Sequence, residues 1–206
     1  MKQNRLYREA DLNVIKRDEA EQGYFVEGYA STFTPYVLFS DNGVNYSEVI
    51  DRHAFDETDM SDVVFRIDHE GAVYARTSNG LIELSVDDKG LFNRINLGAT
   101  EKAKELYRDI EVGNYPKMSF AFSVKEDEYD RNTHTRKILK VGKLYDVSAV
   151  SFPANPSTNL DISTRDYFDG VIEMENAERQ REEELRNKKE SLAKRLNALK
   201  GEKDGN

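Results

Sequence analysis

The feature that most constrains this chain is an abrupt change of texture near residue 170. From Val171 to Lys200 there is no Gly, no Pro and no aromatic residue. The stretch is built of Glu, Arg, Lys, Leu, Asn and Ala, most of which favour a helix. All four prolines and nearly all the aromatic residues lie earlier, between Tyr7 and Asp166. Punctuation of that kind, short aromatic and β-branched runs broken by turn residues, reads as β-rich. The sequence therefore predicts a β domain over residues 1–166 and a charged helical tail over 167–206. A chain of 206 residues agrees with one domain plus an appendage, since a domain takes about 150 residues on average.

Charge narrows the function classes. The chain carries 39 acids and 30 Lys or Arg, for a formal net charge of −9. A protein that coats nucleic acid needs a basic face, so no nucleic-acid partner is expected. Cysteine is absent, which removes disulfides, thiol nucleophiles and Cys-based metal sites. No apolar run is long enough to span a bilayer. Met1-Lys2-Gln3-Asn4-Arg5 opens without the apolar core of a secretory signal. A cytosolic protein with no membrane partner is expected.

Within the body, Gly23–Phe33 reads as a strand bent or bulged at its glycines. Val63–Ile67 is a short strand that runs into Asp68-His69-Glu70-Gly71. Leu81–Val86 and Leu91–Leu97 flank Asp87-Asp88-Lys89-Gly90, a hairpin signal. Ala103, Leu106, Tyr107 and Ile110 fall on one helical face, which predicts a helix from Thr100 to Val112 with Thr100 as N-cap and Gly113 as stop. Met118–Val124 and Leu144–Phe152 alternate with period two, the second ending at Pro153. One helix among many strands lacks the regular alternation of a parallel sheet. The expected architecture is a mainly antiparallel barrel or sandwich with helices attached. In the tail, Leu185, Leu192 and Leu199 recur every seven residues and Leu196 adds one position of the companion seam. Glu182 and Lys189 occupy the rest of that seam, so two readings stand open: a helix docked on its own body, and a helix that meets a partner.

Few residues offer chemistry. His69 follows an apolar run where a strand emerges into a loop. His134 sits in a polar turn and reads as exposed, and His53 lies at an expected strand-to-helix junction. Ser119 opens a strand of bulky residues. Asp146 is an acid within an apolar strand, where a buried carboxylate must be paired; an edge position is the other explanation. Histidine, serine and aspartate can act as base, nucleophile and tautomer-fixing acid. The rival is a metal site drawn from Asp51, His53, Asp56, Asp59, Asp62, Asp68, His69 and Glu70. Their spacing matches no familiar cage, so no metal and no cofactor is assigned.

Four ordered segments resemble the prohead proteases of tailed bacteriophages, the serine proteases of capsid maturation. Gly28-Tyr29-Ala30-Ser31-Thr32-Phe33 resembles that family's GYA-x-x-F strand. Val49-Ile50-Asp51-Arg52-His53-Ala54-Phe55 is similar to its I-x-P-G-A-F segment, with Arg52 and His53 in place of Pro and Gly. Ile67-Asp68-His69-Glu70 resembles its D-H strand end. Met118-Ser119-Phe120-Ala121-Phe122, followed by Leu144-Tyr145-Asp146-Val147-Ser148-Ala149-Val150-Ser151-Phe152-Pro153-Ala154-Asn155-Pro156, resembles its S-x-x-F and L-x-E-V-S-x-V-x-x-P-A-N segments. The resemblance runs from about Gly23 to Ile162.

The resemblance implies His69 as general base, Ser119 as nucleophile and Asp146, where the family usually has Glu, as third member. It implies a fold similar to the herpesvirus assemblins, an antiparallel β-barrel with flanking helices, here followed by a C-terminal helix. The implied activity is a serine endopeptidase acting inside the assembling prohead, in the host cytoplasm. Its substrates would be the scaffold and the capsid protein, and self-processing would remove parts of the chain itself. A homo-oligomer is compatible with this reading. The competing expectations are a non-catalytic capsid-associated or scaffolding module on the same fold, and a metal-dependent hydrolase.

Overall fold

The computed structural model describes residues 6–14, 23–151 and 162–201. The chain divides into two compact units, residues 1–161 and 162–206. The first unit contains ten strands, in the order β1 (Leu6–Val14), β2 (Phe25–Thr32), β3 (Tyr36–Asp41), β4 (Val44–Ile50), β5 (Val64–Ile67), β6 (Glu70–Arg76), β7 (Ile82–Val86), β8 (Gly90–Asn96), β9 (Lys117–Asp130) and β10 (Thr135–Val150), with helix α1 (Glu101–Glu111) between β8 and β9. Among its described residues the second unit holds a single helix, α2 (Ile162–Gly201).

Two long strands organise the sheet. β9 and β10 form an antiparallel hairpin. β10 also pairs in parallel with β4 near its start and with β5 near its end. The hydrogen-bonded path runs β3-β4-β10-β9-β1-β2-β8-β7, with β5 and β6 branching from β10. β1 pairs with β9 through its first six residues and with β2 through its last three. The unit is mainly β and its pairings are mainly antiparallel, as expected, with the two parallel pairings both on β10. One expectation changes. Among the described residues no pairing joins β3 to β7, so no closed barrel is found.

The local reasons follow the sequence closely. Thr100 caps α1 by accepting from the Ala103 N–H, and Gly113 ends it at φ +89°. The buried face of α1 is Ala103, Leu106, Tyr107 and Ile110. These pack into a core with Val26, Phe65, Leu91, Ile95, Phe120 and Phe122. Each large side chain removed from water there is worth roughly 1.5–3 kcal/mol. The expected bulge in β2 lies between Tyr29 and Ser31, opposite β8. Gly90 sits at this crossing, where a Cβ would fall 2.0 Å from the Ser31 carbonyl oxygen, so only glycine fits.

A second polar cluster lies inside this unit. Glu48, on β4, is fully buried. Arg8 of β1 grips it with two hydrogen bonds, Nε to Oε1 at 2.6 Å and Nη2 to Oε2 at 2.9 Å. The Tyr36 hydroxyl donates to Oε1 at 2.5 Å. Arg136 approaches Oε2 at 3.6 Å and donates to Asp127 at 2.8 Å. Burial first, and then the Glu48 charge, push the Tyr36 hydroxyl well above its ordinary pKa. Five strands are tied here by ion pairs and one tyrosine hydroxyl.

Candidate active site

β5 and β6 are joined by only two residues, Asp68 and His69, with Ile67 paired to Glu70 across the turn. Both have positive φ, +45° and +60°. That is what a two-residue type I′ hairpin turn requires, and Asp at its first position suits the turn better than His at its second. A non-glycine residue held there costs of order 1 kcal/mol or more and persists only when its surroundings fix it. They do. The Asp68 N–H donates to the Ala149 carbonyl at 3.0 Å. The Asp68 carboxylate accepts from the Ser151 N–H at 3.2 Å and from the Ser151 hydroxyl at 3.3 Å. Arg66 donates to the His69 carbonyl at 3.2 Å. The turn is thus fastened to the end of β10, and the imidazole is carried over the face of β9 and β10.

On that face stand the other two residues. Ser119 on β9 is directly opposite Ser148 on β10, and Asp146 lies two residues before Ser148, on the same side of the strand. His69 Nε2 is 2.7 Å from the Ser119 Oγ, and His69 Nδ1 is 2.5 Å from Asp146 Oδ1. With Asp146 ionised, Nδ1 carries the ring proton and donates it to the carboxylate. Nε2 is then free to accept from the Ser119 hydroxyl. Ser119 and Asp146 are each 2% exposed, whereas the His69 side chain is 16% exposed. Asp146 is therefore a buried acid in a central stretch of β10, bonded to β9 on one side and β5 on the other. The edge explanation does not hold. The Ser148 hydroxyl also donates to Asp146 Oδ1 at 2.9 Å, and it accepts from the His69 N–H at 3.3 Å.

The structure thus brings His69, Ser119 and Asp146 together from β5–β6, β9 and β10. It leaves the other histidines apart from them. His53 lies in a turn after β4, with no helix following, and is highly exposed; its Nδ1 is 3.1 Å from Asp56. His134 is half-buried rather than exposed, because its ring meets Tyr46 edge-on and its Nδ1 lies 3.1 Å from the Tyr129 hydroxyl. The acids considered as metal ligands are spread out. Asp59 pairs with Lys143 at 2.6 Å, Asp62 with Arg76 at 3.0 Å and Asp51 with Lys137 at 2.8 Å. Among the described residues no three His, Asp or Glu side chains converge as a metal site would require. Ser148 was missed by sequence reasoning. Its signal was its spacing of two from Asp146, which puts both on one face of a strand. The segment from Phe152 to Pro156 lies outside the described residues.

Among the described residues no helix is long and apolar enough to cross a membrane. No curated protein matches the sequence. The solved structure of the capsid assembly protease of bacteriophage T4 is similar to 74% of this chain, over all of its own length, at 13% identity and a TM-score of 0.45. That likeness is too distant to bear on fold or function. The family comparison is stronger: the sequence model of the caudovirus prohead serine protease family matches residues 10–170, a span that includes His69, Ser119 and Asp146. The chain belongs to the caudovirus prohead serine protease family.

Proposed function

We propose that the chain is an active serine endopeptidase of prohead maturation, with Ser119 as nucleophile, His69 as general base and Asp146 as the acid that holds the imidazole. The observation that carries this reading is the unbroken chain from Asp146 through His69 to Ser119, with links of 2.5 and 2.7 Å. Those are the distances at which a base can take the nucleophile's proton. As the Ser119 oxygen bonds to the scissile carbonyl carbon, its proton moves to His69 Nε2. Asp146 stabilises the imidazolium through Nδ1. When the tetrahedral intermediate collapses, the carbon–nitrogen bond breaks and the same proton passes to the leaving amine. Water, deprotonated by His69, then releases the acyl group from Ser119.

The substrates that fit family membership are the scaffold and capsid proteins of the same virus, met inside the assembling prohead, with self-processing of the chain as a further step. The second unit suits a role in assembly. α2 is 40 residues long, and Leu185 and Leu192, seven residues apart, are 56% and 58% exposed. The three site residues all precede it. Residues 167–206 are in this reading a handle that carries the protease domain, 1–166, into the growing shell. The test of the activity is co-expression of the chain with the capsid and scaffold proteins of its virus. Ser119→Ala is expected to leave a folded protein that processes neither. Normal processing by this variant at normal expression contradicts the assignment and favours a non-catalytic module.

A further inference from the structure

We propose that Ser148 is a positioning residue for this reaction: its hydroxyl locks the backbone of the base to the carboxylate that orients the base's ring. The inference rests on the protease reading above and adds a fourth residue to it. Ser148 is fully buried and does not touch the reacting atoms through any bond described above. Its hydroxyl lies between two partners of fixed polarity. The His69 N–H can only donate, so the Ser148 oxygen must accept from it, at 3.3 Å. The single hydroxyl proton is then free for Asp146 Oδ1, at 2.9 Å. Oδ1 is the same oxygen that receives His69 Nδ1. The result is a closed loop: backbone N–H of His69, Ser148 oxygen, Asp146 carboxylate, and back to the His69 ring. No member can move along the strand without breaking two of the three bonds.

The loop answers a need created by the turn. His69 sits at φ +60° on a two-residue connection. A side chain launched from such a turn is aimed only as well as the turn is held. Arg66 holds the His69 carbonyl and Ser148 holds its N–H, so the backbone on both sides of the imidazole is fixed. Asp146 meanwhile lies within a sheet where its described partners are an imidazole and a hydroxyl, not a guanidinium. Donation by Ser148 gives the buried Asp146 Oδ1 a second hydrogen-bond partner beside the His69 ring. Ser148 also faces Ser119 across the β9–β10 ladder, so the fixed oxygen is built into the same register as the nucleophile.

The test uses the full chain and a fluorophosphonate, which reacts with an activated serine and needs no knowledge of the cleavage site. Two quantities are read: the rate of phosphonylation of Ser119, and the low-field proton resonance of the His69 Nδ1–H. A displacement of about 1 Å in a catalytic group can cost on the order of 100-fold. Ser148→Ala is expected to slow the reaction roughly 10- to 100-fold and to broaden or abolish the resonance. Ser148→Thr, which keeps the hydroxyl, is expected to restore both. If the threonine methyl is not accommodated, or the alanine variant does not fold, Ser148→Cys, whose thiol is a weak donor and acceptor, is measured in their place: it should react more slowly than the parent with a weakened resonance, and a parent-like rate and resonance overturn the proposal. A Ser148→Ala protein that reacts at the parent's rate with the resonance in place overturns the proposal. So does one that is slower and melts lower while its resonance is unchanged, because that is a structural role. A parent chain that does not react at Ser119 at all overturns the protease reading itself, and this proposal with it.

Discussion

The β unit buries two polar clusters, and they are built on opposite principles. Around Glu48, two guanidiniums face two carboxylates, and a tyrosine hydroxyl fills a remaining position. Around Asp146, the partners are an imidazole and a serine hydroxyl. The first cluster is a closed set of ion pairs that reaches no nucleophile. In the second, the far nitrogen of the imidazole reaches the Ser119 hydroxyl. The difference teaches that burial of polar groups does not by itself mark an active site. What marks it is an imidazole placed between a buried acid and a nucleophile. A buried ion pair also costs desolvation, so the Glu48 cluster is better read as setting which strands meet than as a large gain in stability.

The contrast can be broken from either side. In order of expected size, His69→Ala should lower turnover by about 10⁶, as loss of a triad base does elsewhere. Its thermal midpoint should change little, which calorimetry beside a cleavage assay would check. Asp146→Asn should come next, at roughly 10⁴-fold in turnover, because the amide favours the wrong tautomer of His69. Asp146→Glu should retain part of the activity, since it keeps the charge. Equal activity in parent and Asp146→Asn would mean that another group orients His69. Glu48→Ala should do the reverse. Removing the carboxylate that Arg8 grips should destabilise the fold by roughly 3–5 kcal/mol, read by denaturant unfolding, while the protein that remains folded reacts with a fluorophosphonate at the parent's rate.

Smaller effects sharpen the picture at the surface. Deleting residues after Asp169 should leave cleavage in solution intact while reducing incorporation into proheads. A truncated chain that melts clearly lower and is incorporated normally would make α2 a structural support instead. The half-buried Asp51–Lys137 pair should matter least. A hydrogen bond from Lys137, together with one from the His53 N–H, lowers the Asp51 pKa from its ordinary 3.8. A depressed carboxyl contributes stability above its unfolded pKa and loses it as pH falls through the folded value. Asp51→Asn should therefore cost a few tenths of a kcal/mol at neutral pH, as solvent-screened pairs do. That difference should shrink as pH falls below 3.8 and through the lowered folded value, in parallel melts of parent and variant.

Much of this was legible in the sequence because the signals were local. The spacing of Ala103, Leu106, Tyr107 and Ile110 gave the buried face of α1, and Asp87–Gly90 marked the β7–β8 hairpin. The residues of the site were found through a resemblance, and the geometry brings all three together. Three things were hidden for physical reasons. β1 is tied to partners distant in the chain, including Arg8 on Glu48, 40 residues apart, and no local pattern reports such pairing, whereas the β3–β4 hairpin did carry a local signal, Asn42-Gly43, that was overlooked. Parallel pairing along β10 depends on its length, and the alternating run from Leu144 showed less than half of it. The turn at Asp68-His69 read as a loop because it lacks the Asn-Gly or Asp-Gly pair that marks a two-residue hairpin. The turn is tolerated because Ser148, Ser151, Ala149 and Arg66 all hold it.

The central claim is that Ser119 is activated by His69. The most direct measurement is fluorophosphonate labelling of the parent chain beside its His69→Ala and Ser123→Ala variants, with the modified residue located by peptide mass spectrometry. The account predicts one adduct per chain, on Ser119, unchanged in Ser123→Ala and lost in His69→Ala. An adduct on another serine, or equal labelling of Ser119 with and without His69, would contradict it.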